Sequence, residues 1–505
     1  MGQEVELKLC FPRTALAALR RHPILAADTT PVVTTLDNTY FDTPDLVLKK
    51  LGIALRTRRR GRSLLQTVKC ASDSAGGLSI RPEWEQAWRG SFDFSAIDAP
   101  RIRKRLLRAQ AGLTPLFSTR FRRETRRHRP QDGVSILLMI DTGEIRCHGR
   151  AEPICELELE LEQGAPLDLL LLACRLTADL PLLPSDASKA ERGYALFLDQ
   201  EPEPMRAERS AIDATMTPVE AFRTLAHSCV RQWQFNAAHA AGSENPEFIH
   251  QLRVSQRRLR SLLRIFRPAL PAEFANDWAE RLRRNANRFG DARDLDVLCE
   301  EILAPVTSIK DLQAEALSRM QEIARAERDQ TRSRSVADLD AAEQGRLLTG
   351  FMAAVHALPD PVSGQTPAPA KPNMALRRLA NRRIERLRRR VRERHDAAHG
   401  ATPEHLHELR VALKQLRYAI DFLAPLLRDS GKRTKALTRI QNDLGFVNDL
   451  DVACQRLGRW AGEDPQLCAA AAFVCGWHAA RSARLGKRAL KALTPLLAGR
   501  SPWRA

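Results

Sequence analysis

The sequence predicts an α+β protein, with a β-rich N-terminal part followed by an all-α part that contains an internal duplication. Three observations predict it. Residues 1–200 hold short segments of period-two alternation, separated by turn signals such as DTPD, RRGR, DSAGG and EQGAP. The later part is rich in Leu, Ala and Arg with 3.6-residue periodicity. Within it, FIHQLRVSQRRLRSLLRIFRPAL (248–270) matches HLHELRVALKQLRYAIDFLAPLL (405–427), and RFGDARDLDV (288–297) matches DLGFVNDLDV (443–452). His250 and His407 are 157 residues apart and Gly290 and Gly445 are 155 apart, so two separate matches share nearly one offset.

The expected strands, in order, are EVELKL (4–9), IALRTRR (53–59), LQTVK (65–69), PEWEQAW (82–88), ILLMID (136–141) and CELELELE (155–162). Helical patterns are expected at 12–22, 95–111 and 166–180. Residues 1–200 form one domain and 201–217 a linker. A helical domain covers 218–500, with repeat one at about 218–356, a Pro-rich linker at 357–373 and repeat two at about 374–500.

The 505 residues carry a formal charge of +19. Residues 1–200 hold 30 Lys/Arg against 25 Asp/Glu, and residues 201–505 hold 50 against 36, so most of the excess lies in the helical part. Such an excess suits a polyanionic partner. Aromatics are 5% of the chain, too few for the stacking platforms that single-stranded nucleic acid uses. The ten cysteines form no CxxC pair and are expected to be reduced. The first residues carry charge at once and no apolar run, so no secretory signal is expected. No apolar stretch is long enough to span a bilayer, and a cytoplasmic location without membrane insertion is expected.

The strand charges lie on shared faces. Glu4, Glu6 and Lys8 alternate with Val5 and Leu7; Arg56 pairs with Arg58, Thr67 with Lys69 and Glu83 with Glu85; Glu156, Glu158, Glu160 and Glu162 line one face of a single segment. One charged face is ordinarily a solvated face. Four glutamates on one strand face repel, and a divalent cation among them relieves this. Hard carboxylate oxygens favour Mg²⁺ or Mn²⁺. Lys and Arg on the neighbouring faces would then grip an anion that the metal also binds, which is the equipment for a polyphosphate. Closing such strands into a barrel puts the charges inside and the apolar faces outward, under helices.

EVELK, YFDTPDLVLKKLGIALRTRR, LQTVK, RPEWE, MIDTGEI, CELELELE and SKAERGYAL occur in the order of a CYTH domain, and residues 1–200 resemble that family, also called the triphosphate tunnel metalloenzymes. The resemblance implies an antiparallel eight-stranded β tunnel with flanking helices that hydrolyses a triphosphate with Mg²⁺ or Mn²⁺. It implies metal ligation by Glu4, Glu6, Asp141, Glu156, Glu158 and Glu160. It implies triphosphate binding by Lys8, Arg56, Arg58, Lys69, Arg123, Lys189 and Arg192, and a catalytic set of Glu4, Glu6, Lys8 and Lys69. The neighbours Arg120 and Arg122 leave the inward register around Arg123 open, and the general base stays open between a tunnel glutamate and a lysine. Trp84 and Trp88 suit either a stacked base or, more simply, an apolar edge.

In the helical part His250, Arg253, Arg257 and Arg260 fall within an arc of about 80° of one helix, opposite Leu252, Leu259, Leu263 and Phe266. The second repeat keeps this face as His407, Arg410, Lys414 and Arg417. Two such faces packed about a pseudo-twofold axis would make one cationic groove, where the histidines add charge below about pH 6.5 or donate hydrogen bonds. Asp291, Arg293, Asp294 and Asp296, with the copies Asp449 and Asp451, suit a helix start and the positioning of arginines, with metal binding as the alternative. Asn448 stands where Arg293 stands, which makes the halves unequal. The Arg-rich run at 376–395 has cations all round its helix and would extend the anion surface or hold nucleic acid nonspecifically. This part resembles the CHAD domain, a duplicated helical unit, and the resemblance implies binding of long-chain inorganic polyphosphate through those two faces.

The joint expectation is a hydrolase that cleaves tripolyphosphate to phosphate and pyrophosphate, with polyphosphate and its granules as partners and no specific nucleic acid. The alternative is a polyphosphate-binding protein with a weak activity, or one directed at thiamine triphosphate or a nucleoside triphosphate.

Overall fold

A computed structural model describes residues 2–26, 30–71, 74–309, 315–337, 339–359, 372–400, 402–428, 431–499, 501 and 503. The chain divides into two compact units, Met1–Met205 with Gln234–His239 and Asp340–Ala357, and the remainder.

The first unit is built on strands β1 (Gly2–Cys10), β2 (Val32–Asp42), β3 (Ile53–Arg60), β4 (Ser63–Cys70), β5 (Leu78–Ala87), β6 (Thr114–His128), β7 (Ser135–Cys147), β8 (Arg150–Gln163) and the two-residue β9 (Leu183–Pro184). Their order is β5-β4-β3-β2-β6-β7-β8-β1-β9, and β5 also pairs with β1. The pairings are antiparallel, and eight strands therefore close into a barrel. Helices α1 (Leu16–Arg21), α2 (Pro23–Ala26), α3 (Val47–Lys50), α4 (Pro100–Ala109), α5 (Pro166–Asp179) and α6 (Lys189–Phe197) flank it.

The alternation explains which face goes in. Leu7, Leu9, Leu55, Val68, Leu157 and Leu159 are buried on the outer face of the wall. Leu55 and Val68 join Leu48, Ile53, Phe94, Ile97 and Leu106 under α4. Trp84 belongs to the edge of that cluster, its indole nitrogen donating to Asp98 at 2.9 Å, and Trp88 packs edge-on against Phe92. Both tryptophans are thus edge aromatics.

β2 and β6 are not among the strands expected from the sequence. In β6, TRFRRETRR places arginines on both faces and hides the alternation. In β2, VVTTLDNTYFD puts Thr34, Leu36, Asn38 and Tyr40 on one face, so polar and apolar residues mix there and no apolar period stands out.

The helical region comprises α7 (Pro218–Ala240), α8 (Glu247–Phe266), α9 (Ala272–Arg288), α10 (Gly290–Val297), α11 (Ala304–Thr307), α12 (Glu315–Ala337), α13 (Ala341–His356), α14 (Pro372–Ala397), α15 (Pro403–Leu423), α16 (Gly431–Ala461) and α17 (Pro465–Leu497). The Pro-rich linker expected at 357–373 falls largely outside the described residues. α13, expected in repeat one, groups with the first unit and lies along α5. Gly345 permits this: a Cβ there would sit 1.9 Å from the Leu182 carbonyl oxygen. Thr349 adds a hydroxyl contact of 2.9 Å to Thr177.

In the second unit, the expected core residues Leu252, Leu259, Leu263 and Phe266 of α8 are buried, as are Leu409, Leu413, Leu416 and Leu423 of α15. The first acidic motif begins α10. Its copy does not begin a helix: Asp449 and Asp451 lie inside the 31-residue α16, which runs on through Gly445 without the break seen at Phe289–Gly290. The expectation that all cysteines are reduced also differs from the structure. Cys454 of α16 and Cys475 of α17 form a disulfide, Cα atoms 5.9 Å apart. Their separation of 21 residues fits no short motif; the antiparallel helix pair is what brings them face to face.

Candidate functional site

The barrel encloses a cavity of about 550 Å³ lined by the alternating charged residues. A second cavity of about 430 Å³ shares Glu6, Lys8, Lys69, Arg81 and Ser188 with it and continues past Lys49 and Asp186.

The register of β1 arranges one wall. Glu4 lies opposite Arg81 and Glu6 opposite Ser79 on β5; on β8, Glu6 faces Glu160 and Lys8 faces Glu158. Lys69 donates to both Glu4 oxygens at 2.9 and 2.8 Å and lies 3.1 Å from Glu83. Arg81 forks between Glu4, at 3.1 Å, and Glu6. Arg81 was not among the expected site residues. The signal was present, because Arg81 stands two residues before Glu83 and therefore shares the face of Glu83 and Glu85.

A second acid cluster lies on the adjoining strands β7 and β8. Asp141, Glu156 and Glu158 are all buried, and carboxylate oxygens of the three lie within 4.8 Å of one another. Lys189 reaches Glu156 at 2.6 Å, Glu158 at 2.7 Å and Asp141 at 2.8 Å. Arg123 holds Asp141 through two bonds of 2.7 and 2.6 Å and also meets Glu158. Arg192 joins Glu156 to Glu152. A capping box delivers Lys189 and Arg192: Ser188 accepts from the Glu191 amide at 3.1 Å, Glu191 accepts from the Ser188 amide at 2.7 Å, and α6 starts over the acids.

Arg123 is the inward arginine of β6. Arg120 points out beside Asp37 and Arg122 points out to Glu124. Glu162 also lies away from the cluster, bonded to Arg127 at 2.7 Å and Ser135 at 2.8 Å.

Burial alone would neutralise these charges; the partners reverse that. Burial raises the pKa of Glu158, but Lys189, Arg123 and Lys8 outweigh it and hold it well below the usual carboxylate range. Burial lowers Lys189, but Asp141, Glu156 and Glu158 carry it well above the usual lysine range. Glu160 behaves oppositely, pushed up to about 7 by burial and by Glu4 and Glu83. Arg58 is pushed down to about 10 by burial, Arg56 and Arg123. The cavity thus has one stretch with excess negative charge and another with excess positive charge. Arg56 adds to the second, since its Nε and Nη2 are buried without hydrogen-bond partners. Orphaned guanidinium donors beside a cavity fit phosphate oxygens.

The oxygen-only donors at Asp141, Glu156 and Glu158, the Glu4–Glu6 pair, and Glu160 facing Glu6 fit a hard divalent cation. His395, Asp396 and His399 make a separate cluster in the second unit.

The helical faces meet along α8 and α15. Arg257 donates to the Tyr418 hydroxyl at 2.8 Å. Lys414 is pushed down to about 7 by burial and by Arg257, Arg410 and Arg417, with Asp449 opposing them. Arg260 contributes a buried Nε without a hydrogen-bond partner. The other members are engaged. Arg253 donates to the Phe289 and Gly290 carbonyls, Arg417 bonds Gln441 at 2.6 Å and Asp421 at 2.8 Å, and Arg410 lies 3.6 Å from Asp449. His250 is pushed down to about 4 by burial and by Arg293, Arg257 and Arg253, against Glu247. It is therefore neutral near pH 6.5 and does not add charge there. His407 contacts Asn448, which stands where Arg293 stands in repeat one. The acidic motif positions arginines as expected: Asp296 holds Arg332 and Asp291 approaches Arg456 at 3.4 Å.

Comparison with known proteins adds family. The CYTH domain model matches residues 2–194 and the CHAD domain model residues 224–458. An inorganic triphosphatase of Haemophilus influenzae is 31% identical over 211 residues, 39% of this chain and 55% of that protein. The chain thus spans about half the length of that curated relative. The crystal structure of the CHAD domain from the plant Ricinus communis is 26% identical, with a TM-score of 0.49 over 60% of this chain and 100% of that one. A putative adenylyl cyclase from Hippeastrum, described as having dominant triphosphatase activity, is 22% identical, with a TM-score of 0.30 over 40% of this chain and 98% of that one. No helix among the described residues is long and apolar enough to cross a membrane. The chain carries a CYTH domain followed by a CHAD domain.

Proposed function

We propose that the CYTH tunnel hydrolyses inorganic tripolyphosphate to phosphate and pyrophosphate with Mg²⁺ or Mn²⁺, and that the CHAD domain binds long-chain inorganic polyphosphate. One observation carries the first part: Glu4, Glu6, Glu158 and Glu160, the ammonium groups of Lys8, Lys69 and Lys189, and Arg56 donors without hydrogen-bond partners line a single cavity, and Asp141 and Glu156 cluster with Glu158. The Haemophilus relative, named an inorganic triphosphatase, supports it.

The chemistry follows from the lining. Glu4, Glu6, Asp141, Glu156, Glu158 and Glu160 would hold the metal, which supplies polarisation of phosphate oxygens and orientation of water. Arg56, Arg58, Lys69, Arg123, Lys8, Lys189 and Arg192 hold the phosphates and stabilise the charge that builds on the leaving pyrophosphate. Water adds to the terminal phosphorus, the bond to the bridging oxygen breaks, and a tunnel base takes the proton of the water.

The lining favours a substrate without a ring. Among described residues, its aromatics are Tyr40 and Phe121. The Tyr40 ring is stacked on Phe117, and Phe121 faces Lys189 and Arg123 at 5.0 and 5.7 Å. Neither offers an open face to a purine or thiazole. A panel of tripolyphosphate, ATP and thiamine triphosphate tests this choice. Tripolyphosphate should have the highest kcat/KM; a higher value for ATP or thiamine triphosphate would replace it as substrate.

The CHAD reading rests on Arg257, Arg260, Arg410 and Lys414 gathered along the α8–α15 seam. Polyphosphate binding by the full chain should weaken steeply with salt and exceed binding of duplex DNA of equal charge. Equal or tighter DNA binding would contradict it. The proposed setting is cytoplasmic, at polyphosphate granules.

A further inference from the structure

The C-terminal end of α14 carries a cluster that neither anion site uses. It reads His395-Asp396-Ala397-Ala398-His399, and one ligand atom from each of His395, Asp396 and His399 lies within 4.8 Å of the others. We propose that these three residues form a binding site for a borderline divalent metal ion of the Zn²⁺ class.

The argument begins with the buried member. His395 is 5% exposed, and its Nε2 lies 3.1 Å from the carbonyl oxygen of Leu490 on α17. A carbonyl only accepts, so Nε2 carries the hydrogen and donates it. In the neutral ring the lone pair then sits on Nδ1. That atom lies 3.3 Å from Asp396 Oδ1, which is also an acceptor. With the Thr494 hydroxyl, also 3.4 Å from Nε2, donating to the Leu490 carbonyl, the Nδ1 lone pair and Asp396 Oδ1 face one another as a pair suited to share a cation, a second ring proton or a metal. The His399 ring, 5.1 Å away centroid to centroid and turned by 73°, brings a second imidazole to the same place. A lone proton has no use for it, whereas a metal does. A ligating histidine whose other nitrogen is held by a backbone carbonyl is the usual arrangement for fixing tautomer and ring direction.

The donor set selects the metal class. Two imidazoles and one carboxylate suit Zn²⁺ and its first-row neighbours, while all-oxygen sites suit Mg²⁺ and Ca²⁺. The electrical surroundings agree. α14 is rich in arginine, so a cation held by charge alone would be repelled, and coordination by nitrogen lone pairs has to supply the affinity. Arg394, next to His395 in sequence, is occupied by Glu408 at 2.6 Å. Asp396 and His399 are exposed, so solvent can complete the coordination and the ion can enter directly. The bound ion would tie the end of α14 to α17 through His395 and Leu490. The proposal stands apart from the tunnel reading, since none of its residues lies in the CYTH domain.

The test uses the full chain, stripped of metal with a chelator and then held in millimolar Mg²⁺ so that the all-oxygen carboxylates keep their hard cation. Equilibrium dialysis with Zn²⁺ should find an equivalent that His399→Ala and Asp396→Asn each weaken about 10-fold or more. Co²⁺ in place of Zn²⁺ should give visible absorption bands of imidazole ligation that His399→Ala removes. Both variants change exposed side chains, so an unchanged circular dichroism spectrum is expected, whereas His395→Ala empties a buried position. Unaltered Zn²⁺ affinity and stoichiometry in both variants, or no Zn²⁺ bound by the wild type, would overturn the proposal.

Discussion

The Lys189 ammonium lies 2.8 Å from Asp141, a carboxylate with no exposure, and the same ammonium serves Glu156 and Glu158. Removing it leaves three buried acids with Arg123 and Arg192 still bonded to them but one positive charge short, a loss of up to about 3–5 kcal/mol, the figure for a broken buried pair. Lys189→Met should therefore unfold at lower temperature than wild type in EDTA. Millimolar Mg²⁺ should restore more stability to the variant than it adds to the wild type, because a cation replaces the ammonium. Differential scanning calorimetry with and without Mg²⁺ checks both; equal Mg²⁺ shifts would contradict the metal assignment of this cluster.

Lys414 gives the anion seam a pH dependence. Its charged neighbours are Arg257 across the seam, Arg410 and Arg417 on its own helix and Asp449 on α16. Its pKa falls from 10.5 to about 7 in the folded chain, so between those values the folded state binds fewer protons than the unfolded state. Stability from this group therefore rises with pH across that window, and below about 7 the full burden of a charged Lys414 is present. A bound polyanion reverses the burden. Polyphosphate affinity should rise as pH falls from 9 to 6, and Lys414→Met should flatten the slope. Isothermal titration across that range checks it, and an identical slope in the variant would contradict the assignment.

α13 belongs with the tunnel unit although 156 residues lie between it and β9. Gly345 sits against the Leu182 backbone, where a Cβ would be 1.9 Å from the carbonyl oxygen. Gly345→Val should cost about 1–3 kcal/mol by overpacking and lower the unfolding temperature of the tunnel unit. A fragment ending at residue 205 should be less stable than the same unit in the full chain. Indistinguishable melting would show that α13 contributes nothing.

The disulfide closes a loop of 21 residues, for which chain entropy gives about 3 kcal/mol. Reduction, or Cys454→Ser, should lower the melting temperature of the helical unit and leave tunnel turnover unchanged. Thermal denaturation followed at 222 nm with and without reductant measures it, and a melt insensitive to reductant would contradict the pairing.

Much of the tunnel was legible because strand alternation is a local signal. EVELK and CELELELE display their charged faces in the primary sequence, and the acid–cation pairs follow once the register is known. Arg81 was equally legible, as the third member of the Arg81–Glu83–Glu85 face. β2 and β6 were hidden, because one face of β2 mixes Thr34, Leu36, Asn38 and Tyr40 and β6 carries arginines on both faces, so neither shows an apolar period. The roles of Arg253 and Arg417 were hidden for a different reason. Helical spacing shows that a residue shares a face, not that a carbonyl or a glutamine on a neighbouring helix already engages it. The Cys454–Cys475 pairing and the place of α13 depend on contacts between segments distant in sequence, which no local period encodes.

The central claim is that the two acid clusters and the cationic wall form one metal-dependent triphosphate site. Its most direct test is phosphate release from tripolyphosphate by the full chain, with Mg²⁺, with Mn²⁺ and with EDTA, for the wild type, Glu4→Gln and Glu6→Gln. The account predicts metal-dependent release of phosphate and pyrophosphate in equal amounts, reduced about 100-fold or more in both variants. Folded wild type that releases no phosphate with either metal, or variants as active as wild type, would contradict it.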